Sequence, residues 1–311
     1  MKYVLHDIVN NRLCFATAFL LVLVLFTVSF PVFAQPRTLA HVPQTPTSIE
    51  QERRTMAAQT IDSVVIWVYA VKNNKPNKRG RMHSVMKYDV NGNITRESHF
   101  PDAQTETGTE YRYDAAMRLV EERPIVRGGA PAYRWQYRYD TQNRLTEAHY
   151  LTPTDETAQK KTFRYSTNTL PSEMVFYRTP SKIGYRDVWS FSEASALPTQ
   201  KTRYRADNTV EQREEYRYNS KGELIELLVY SGISIAKPLG DLVSRKEYAY
   251  DSRGNLLEET DRNESTKSLA KQTHRYDQTG LRVESQYFWA AKPPLRLTSI
   301  RQYLYSRFDT K

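Results

Sequence analysis

Pairs of aromatic residues, separated by one mostly basic residue and followed by an acid, recur along this chain at a nearly constant interval. Tyr111-Arg112-Tyr113-Asp114, Tyr137-Arg138-Tyr139-Asp140, Tyr248-Ala249-Tyr250-Asp251 and His274-Arg275-Tyr276-Asp277 show the phrase most fully. Degenerate copies stand at Met86-Lys87-Tyr88-Asp89, Phe163-Arg164-Tyr165-Ser166, Trp189-Ser190-Phe191-Ser192, Tyr216-Arg217-Tyr218-Asn219 and Tyr303-Leu304-Tyr305-Ser306. The second aromatics fall at 88, 113, 139, 165, 191, 218, 250, 276 and 305, in steps of 25 to 32 residues. Alternation of this kind predicts strands. A fixed period of this size predicts a repeat architecture.

Aligned on the second aromatic, the unit reads aromatic-Arg-Tyr-Asp-x-x-Gly-x-Leu-x-Glu. The Asp side chain can cap backbone N–H groups two residues on. The fourth turn position must accept a left-handed backbone, which glycine does at no steric cost. Gly92, Asn143, Gly222, Gly254, Gly280 and Asp309 fill that slot, whereas Met117, Thr169 and Ser195 depart from it. A type I turn with a left-handed residue closes a short β-hairpin. The expected register sets Tyr250 opposite Leu256 and Arg112 opposite Val120.

Strand alternation gives each unit two faces. One carries both aromatics and an aliphatic residue: Ile94, Leu119, Leu145, Leu197, Leu224 or Leu256. Two further positions along, Glu121, Glu147, Glu173, Glu226 and Glu258 are expected on that same face. The opposite face carries Arg112, Arg138, Arg164, Arg217 and Arg275, and a second basic row of Arg134, Lys160, Arg186, Arg213, Arg245 and Lys271. Glu110, Glu215 and Glu247 partly neutralise it. The expected fold is all-β: one antiparallel meander of about nine repeated β-hairpins, twisted and curled as a single sheet, aromatic side inward. One edge carries the short turns. The other carries longer connections, and variable loops on a rigid scaffold are where recognition concentrates.

Residues 61–71 are apolar and β-branched and predict the first strand. Ahead of them, residues 35–59 are rich in Pro, Thr and charge and read as a flexible linker. Lys2 and Arg12 flank an apolar run, Phe15 to Phe30, and Val32-Phe33-Ala34 offers cleavage positions before Gln35. Residues 1–34 therefore read as a signal peptide, leaving 60–311 as one β-hairpin repeat domain. Cys14, the sole cysteine, lies in that leader, so the mature chain has neither disulfide nor thiol chemistry. Net charge falls from +10 to +9 as Lys2, Arg12 and Asp7 leave. A basic exported protein suits anionic partners.

These residues resemble the tyrosine-aspartate repeats of the RHS/YD-repeat family of bacterial exported proteins, over residues 84–308. The resemblance implies a β-hairpin scaffold, exported or displayed at the surface, with links to carbohydrate binding. Large members of the family wrap a shell around a C-terminal toxin. This chain is far shorter and shows no equivalent of the self-cleaving core segment, so toxin delivery is not carried over.

No His pair has metal-ligand spacing, and neither a nucleophile elbow nor a phosphate-binding loop occurs. The Glu residues repeat once per hairpin, as scaffold residues do, so no catalytic residue, metal or cofactor is expected. His274 fills an aromatic slot. Exposed Tyr and Trp stack on sugars and bases, which makes Trp135 and Trp289 candidates for ligand contact. Arg134, Arg138, Arg164, Arg186, Arg213 and Arg217 form the candidate basic surface for an acidic polysaccharide or a surface protein. Nucleic acid is not expected, and the membrane enters only through the export signal. The function read from the sequence is a non-enzymatic exported scaffold, periplasmic, cell-surface or secreted, that binds glycan or a partner protein. The alternatives are an outer-membrane β-barrel and a polysaccharide-degrading enzyme. Mass analysis of the protein from its exporting host should find a mature chain starting at Gln35; an intact Met1 would refute the leader.

Overall fold

The computed structural model describes residues 47–73, 75–102, 104–125, 132–166, 170–291 and 294–309. The leader lies outside the described residues. Thr47–Ala58, within the stretch read as linker, is a helix, α1. The strands that follow are β1 (Ile61–Lys72), β2 (Lys75–Pro76), β3 (Arg81–Tyr88), β4 (Ile94–His99), β5 (Thr107–Tyr113) and β6 (Leu119–Pro124). Next come β7 (Arg134–Tyr139), β8 (Leu145–Leu151), β9 (Thr157–Arg164), β10 (Glu173–Thr179), β11 (Lys182–Phe191) and β12 (Pro198–Arg205). The last are β13 (Val210–Tyr218), β14 (Leu224–Ser231), β15 (Asp241–Tyr250), β16 (Leu256–Asn263), β17 (Leu269–Tyr276), β18 (Arg282–Ala290) and β19 (Arg296–Arg307).

Each repeat is the expected hairpin. Asp114 Oδ1 accepts the backbone N–H groups of Ala116 and Arg118, both at 2.9 Å. Asp89, Asp140, Asn219, Asp251 and Asp277 do the same in their own turns. The left-handed slot is real: Gly222 has φ 79°, Gly254 84° and Asn143 61°. Met117 adopts it too, at φ 59°, although its side chain gains nothing there. After Phe191 the turn is one residue longer, so Ala196 rather than Ser195 is left-handed. Thr169 lies outside the described residues.

The register differs from expectation by one bulge per hairpin. Tyr113 pairs with Leu119, but Arg112 pairs with Glu121, not Val120. The same shift occurs beside Tyr139, Tyr218, Tyr250 and Tyr276. A turn of this type inserts one extra residue on the return strand. Everything beyond the bulge therefore changes face. Glu121, Glu147, Glu173, Glu226 and Glu258 lie with the arginines, which corrects their placement on the aromatic side.

A second consequence is a vacant acceptor. The ladder to the following hairpin starts only at Glu121, Glu147, Glu226 or Glu258. The carbonyl two residues earlier has no strand partner on that side. The second aromatic of the next hairpin supplies one. Tyr139 donates its hydroxyl to the Leu119 carbonyl at 2.7 Å, and Tyr165 to Leu145 at 2.8 Å. Tyr113, Tyr218, Tyr250, Tyr276 and Tyr305 make the same bond to Ile94, Pro198, Leu224, Leu256 and Arg282.

The meander does not stay open. β19 pairs with β1 from Ile61↔Arg307 to Ala70↔Ser299, and β1 pairs with β3 on its other side. Eighteen strands thus form a closed antiparallel barrel, with β2 a two-residue flap on β1. The curled open sheet expected from the sequence is corrected to this ring. β1 stands where the second strand of the ninth unit would stand, so closure needs no further repeat.

The aromatic side faces the interior. Tyr216 and Tyr111 are buried, whereas the Arg112 and Arg164 side chains are 72% and 78% exposed. Among the described residues, buried apolar side chains form three separate clusters. One joins Met56 of α1 to Ile61, Val64, Ile66, Met86, Tyr88 and Leu281; a second spans β7 to β11; a third spans β13 to β15. None joins opposite walls, as expected for a ring of this size, which side chains cannot fill. α1 seats against the short-turn mouth, where Arg53 Nη1 donates to the Asn91 carbonyl at 2.9 Å.

Two glycines separate backbone strain from helix seating. A Cβ at Gly280 (φ 87°) would meet open space, but one at Gly92 (φ 76°) would fall on the Arg53 carbonyl oxygen. Gly280→Ala should cost about 1 kcal/mol from its left-handed backbone. Gly92→Ala should cost clearly more and expose Met56. Urea unfolding of both variants tests this, and equal effects would show that α1 does not seat on the β3–β4 turn.

Candidate functional site

The outer wall carries a charge ladder. Glu173 accepts from Arg164 at 3.1 Å and from Arg186 at 3.3 Å. Glu121 bridges Arg112, at 3.7 Å, and Arg134, at 3.2 Å. Glu226 bridges Arg217, at 2.6 Å, and Arg245, at 3.5 Å. Arg138 reaches Glu147 at 3.2 Å, and Arg213 reaches Glu215 at 3.4 Å. The six arginines singled out from the sequence do share one face, opposite Tyr137, Tyr139, Tyr165 and Tyr218. The bulge brings Glu121, Glu147, Glu173 and Glu226 to that face, and Glu215 stands beside Arg213, so these arginines arrive already paired. Arg186 and Arg213 also lie over the Tyr204 and Tyr230 rings, at 4.7 and 5.1 Å.

The lumen holds the rest of the chemistry. Towards the long-loop mouth, Tyr133 stacks on Tyr150 with centroids 5.3 Å apart, and Trp135 leans on Tyr150 at 5.1 Å. Lys161 Nζ sits 4.9 Å over the Trp135 ring, and burial lowers its pKa. Trp289 stands at the same mouth on β18, 52% exposed. Trp135 and Trp289 are thus both lumenal, on walls far apart around the ring.

Below this aromatic zone runs a belt of buried charge. Asp187 accepts from Arg203 through both oxygens, at 2.8 and 2.9 Å. Lys201 meets Glu214 at 2.6 Å, and Glu214 takes the Tyr216 hydroxyl at 2.6 Å. Lys246 reaches Asp261 at 3.2 Å and Glu259 at 3.8 Å. Burial pushes the Glu259 carboxyl up to about 7, against the opposing pull of Lys246. On the neighbouring wall Arg282 and Arg301 face inward, lying over the rings of Tyr303 and Tyr287 at 5.9 and 4.4 Å. Alternation along the strands places Lys246 on this face; the other groups were missed. One signal was available: Arg282 occupies the slot that Leu256 and Leu224 fill in other repeats.

His274 lies buried against Ser285 Oγ at 2.7 Å, and His149 sits outside with Glu147 at 2.9 Å. Burial, followed by Arg301, lowers His83 to about 4. His41 lies outside the described residues. Among the described residues no cluster of three His, Cys, Asp or Glu side chains could hold a metal. No helix among them is long and apolar enough to cross a membrane, which says nothing of strands.

Inner and outer charge should respond differently to mutation. Asp187→Asn should cost roughly 3–5 kcal/mol by stranding the buried Arg203. Arg138→Gln, Arg164→Gln and Arg217→Gln together should cost about 1 kcal/mol or less per site, since exposed pairs contribute little. Chemical denaturation compares them; equal effects would mean that the faces are misassigned. Glu259 binds its proton more tightly folded than unfolded, so its contribution to stability is complete below pH about 4.5 and is lost as pH rises through about 7. Glu259→Gln should flatten that decline and stabilise at pH 8 by on the order of 2 kcal/mol. A pH series of urea midpoints checks both.

No family model matches the chain, and no curated protein matches it. Solved structures similar to it include a porin-like protein from Bacteroides uniformis, at 8% identity and TM-score 0.42, covering 80% of this chain and 97% of that one. A porin-like protein from Bacteroides vulgatus shows 13% identity and TM-score 0.33, covering 78% and 99%. The TcdB2-TccC3-Cdc42 structure shows 14% identity and TM-score 0.36, covering 75% of this chain and 14% of that one. This chain therefore spans about one-seventh of the TcdB2-TccC3 chain. All three scores are low, and none of these likenesses carries an argument about what this chain does.

Proposed function

We propose that the protein is an exported, non-enzymatic barrel that works through its lumen, binding a hydroxyl-rich ligand such as a glycan from the long-loop mouth. The observation that carries this is the aromatic lining of that mouth: Tyr133, Trp135, Tyr150 and Trp289 on the inner wall, two of them exposed. Sugar rings stack on such faces, and polar groups beside them fix orientation.

The membrane-barrel reading has its own support in ring closure and in one stretch of wall. There Val65, Trp67 and Tyr69 of β1 face outward beside Leu304, Val85 and Ile300. Closure favours a barrel over the open sheet. The rest of the wall favours water on its outer side. A membrane barrel needs an apolar band, and each outward Arg would cost roughly 2–4 kcal/mol at the bilayer midplane. Arg186, Arg213 and Arg245 stand mid-strand on that wall, whereas Arg112, Arg138, Arg164, Arg217 and Arg275 lie beside the short turns, where the cost falls to about 0–1 kcal/mol. The lumenal function does not depend on which reading holds.

Fractionating the exporting host tests the setting. Release by high salt or osmotic shock supports the water-facing barrel; retention in the outer-membrane pellet through an alkaline wash supports the other. Binding of oligosaccharides should weaken in Trp289→Ala and persist in Trp67→Ala, the outward control. Absence of any oligosaccharide binding would refute the lumenal reading.

A further inference from the structure

Much of the charge along the lumenal belt is paired. Arg203, Lys201 and Lys246 each hold a carboxylate. Arg301, on the same inner face, donates no hydrogen bond and joins no ion pair among the described residues, and its buried Nε has no acceptor. The Tyr287 ring, 4.4 Å away, is its neighbour. Glu97, the acid of β4, is engaged by His99 at 3.4 Å and by the Tyr111 hydroxyl at 3.3 Å. Arg282 lies deeper, between the Tyr276 and Tyr303 rings at 5.6 and 5.9 Å, where the Glu52 carboxylate also acts on its charge. Leaving a guanidinium uncompensated away from bulk water is costly. Its planar fork is suited to a carboxylate.

The groups around Arg301 are those of a sugar site. Gln272, which pairs in register with Tyr287, has a buried side-chain oxygen with no donor. The Tyr303 hydroxyl lies 3.1 Å from Ser285 Oγ, beside Arg301 in register. Trp289 stands two residues from Tyr287 on the same strand and the same face, exposed at the mouth. From the mouth inward the wall therefore offers an indole face, a phenol face level with an unsatisfied amide oxygen, and a free guanidinium. His83 adds no competing positive charge at neutral pH, because burial and Arg301 hold it neutral.

We propose that Arg301 is the anion seat of a lumenal subsite for sugar acids, entered past Trp289. The carboxylate of a uronic acid takes the Arg301 fork, ring hydroxyls reach Gln272 and Tyr303, and the next sugar lies on Trp289. This rests on the lumenal reading and names its ligand class. It also moves acidic-glycan recognition from the outer arginines, which hold glutamates, to an inner arginine that holds none.

Calorimetry on the purified protein tests it with tri-galacturonate and with the same trisaccharide methyl-esterified. Arg301→Gln should weaken the acid trimer at least tenfold and leave the weaker ester binding unchanged; Arg301→Lys should recover part of the loss. The outer triple variant, with Gln at 138, 164 and 217, should bind as the parent does. Thermal unfolding confirms that the variants fold, and Arg301→Lys stands in if Arg301→Gln does not. Equal binding of the acid trimer by parent and Arg301→Gln overturns the subsite but leaves the lumen. Loss in the outer triple variant alone also overturns it. Displacement by equimolar inorganic phosphate reduces the site to a simple anion seat and overturns the sugar assignment. If neither trimer binds the parent, the lumenal reading itself falls.

Discussion

The structure depends on one orphaned carbonyl per hairpin. Each Asp-capped turn ends in a left-handed residue and a bulge, and the bulge leaves the carbonyl at Leu119, Leu145, Leu224 and their equivalents outside the next ladder. A buried backbone acceptor without a donor is expensive. The second tyrosine of the following repeat reaches back and donates to it. Such a bond contributes on the order of 1 kcal/mol net, but it recurs seven times among the described residues. It is what makes Tyr rather than Phe the rule before the acid. Because each unit satisfies its predecessor, stability runs between nearest neighbours, as in other repeat chains.

The same bulge decides the electrostatics. By moving a glutamate to the other face in most repeats, it sets Arg–Glu–Arg bridges at Glu121, Glu173 and Glu226 among the outer arginines. On the outer wall many arginines are then held by glutamates, which suits water and weakens their pull on a polyanion. The inner face becomes the place where charge is either buried in a pair, as Asp187 with Arg203, or held open, as at Arg301. Burial gives the difference its weight, because a pair exposed to solvent is screened and a lumenal one is much less so.

Closure removes the sheet edges that a long meander would expose. β1 does this with residues the repeats lack: apolar side chains on both faces, Val64 and Ile66 inward, Val65 and Trp67 outward. It joins the first hairpin to the last strand, and α1, directly before it, seats at the short-turn mouth. One mouth is thus occupied by a helix over tight turns. The other carries the longer connections and the aromatic residues Tyr133, Trp135, Tyr150 and Trp289.

Much of this was legible in the chain. The period, the hairpin, the turn chemistry at Asp251 to Gly254, the inward aromatics and the shared face of Arg138, Arg164 and Arg217 all follow from local alternation and from what a left-handed residue allows. Trp135 and Trp289 stood out because they break the repeat. Hidden were the partners of Glu147 and Glu173, the open guanidinium of Arg301, the helix at Thr47–Ala58 and the ring itself. The reason is physical. Local pattern sets which way a side chain points relative to its neighbours along a strand, but a one-residue bulge reverses that for all that follows. Whether a twisted sheet meets itself depends on stagger summed over every strand, and that sum exists only in the folded molecule, where β1 finds β19.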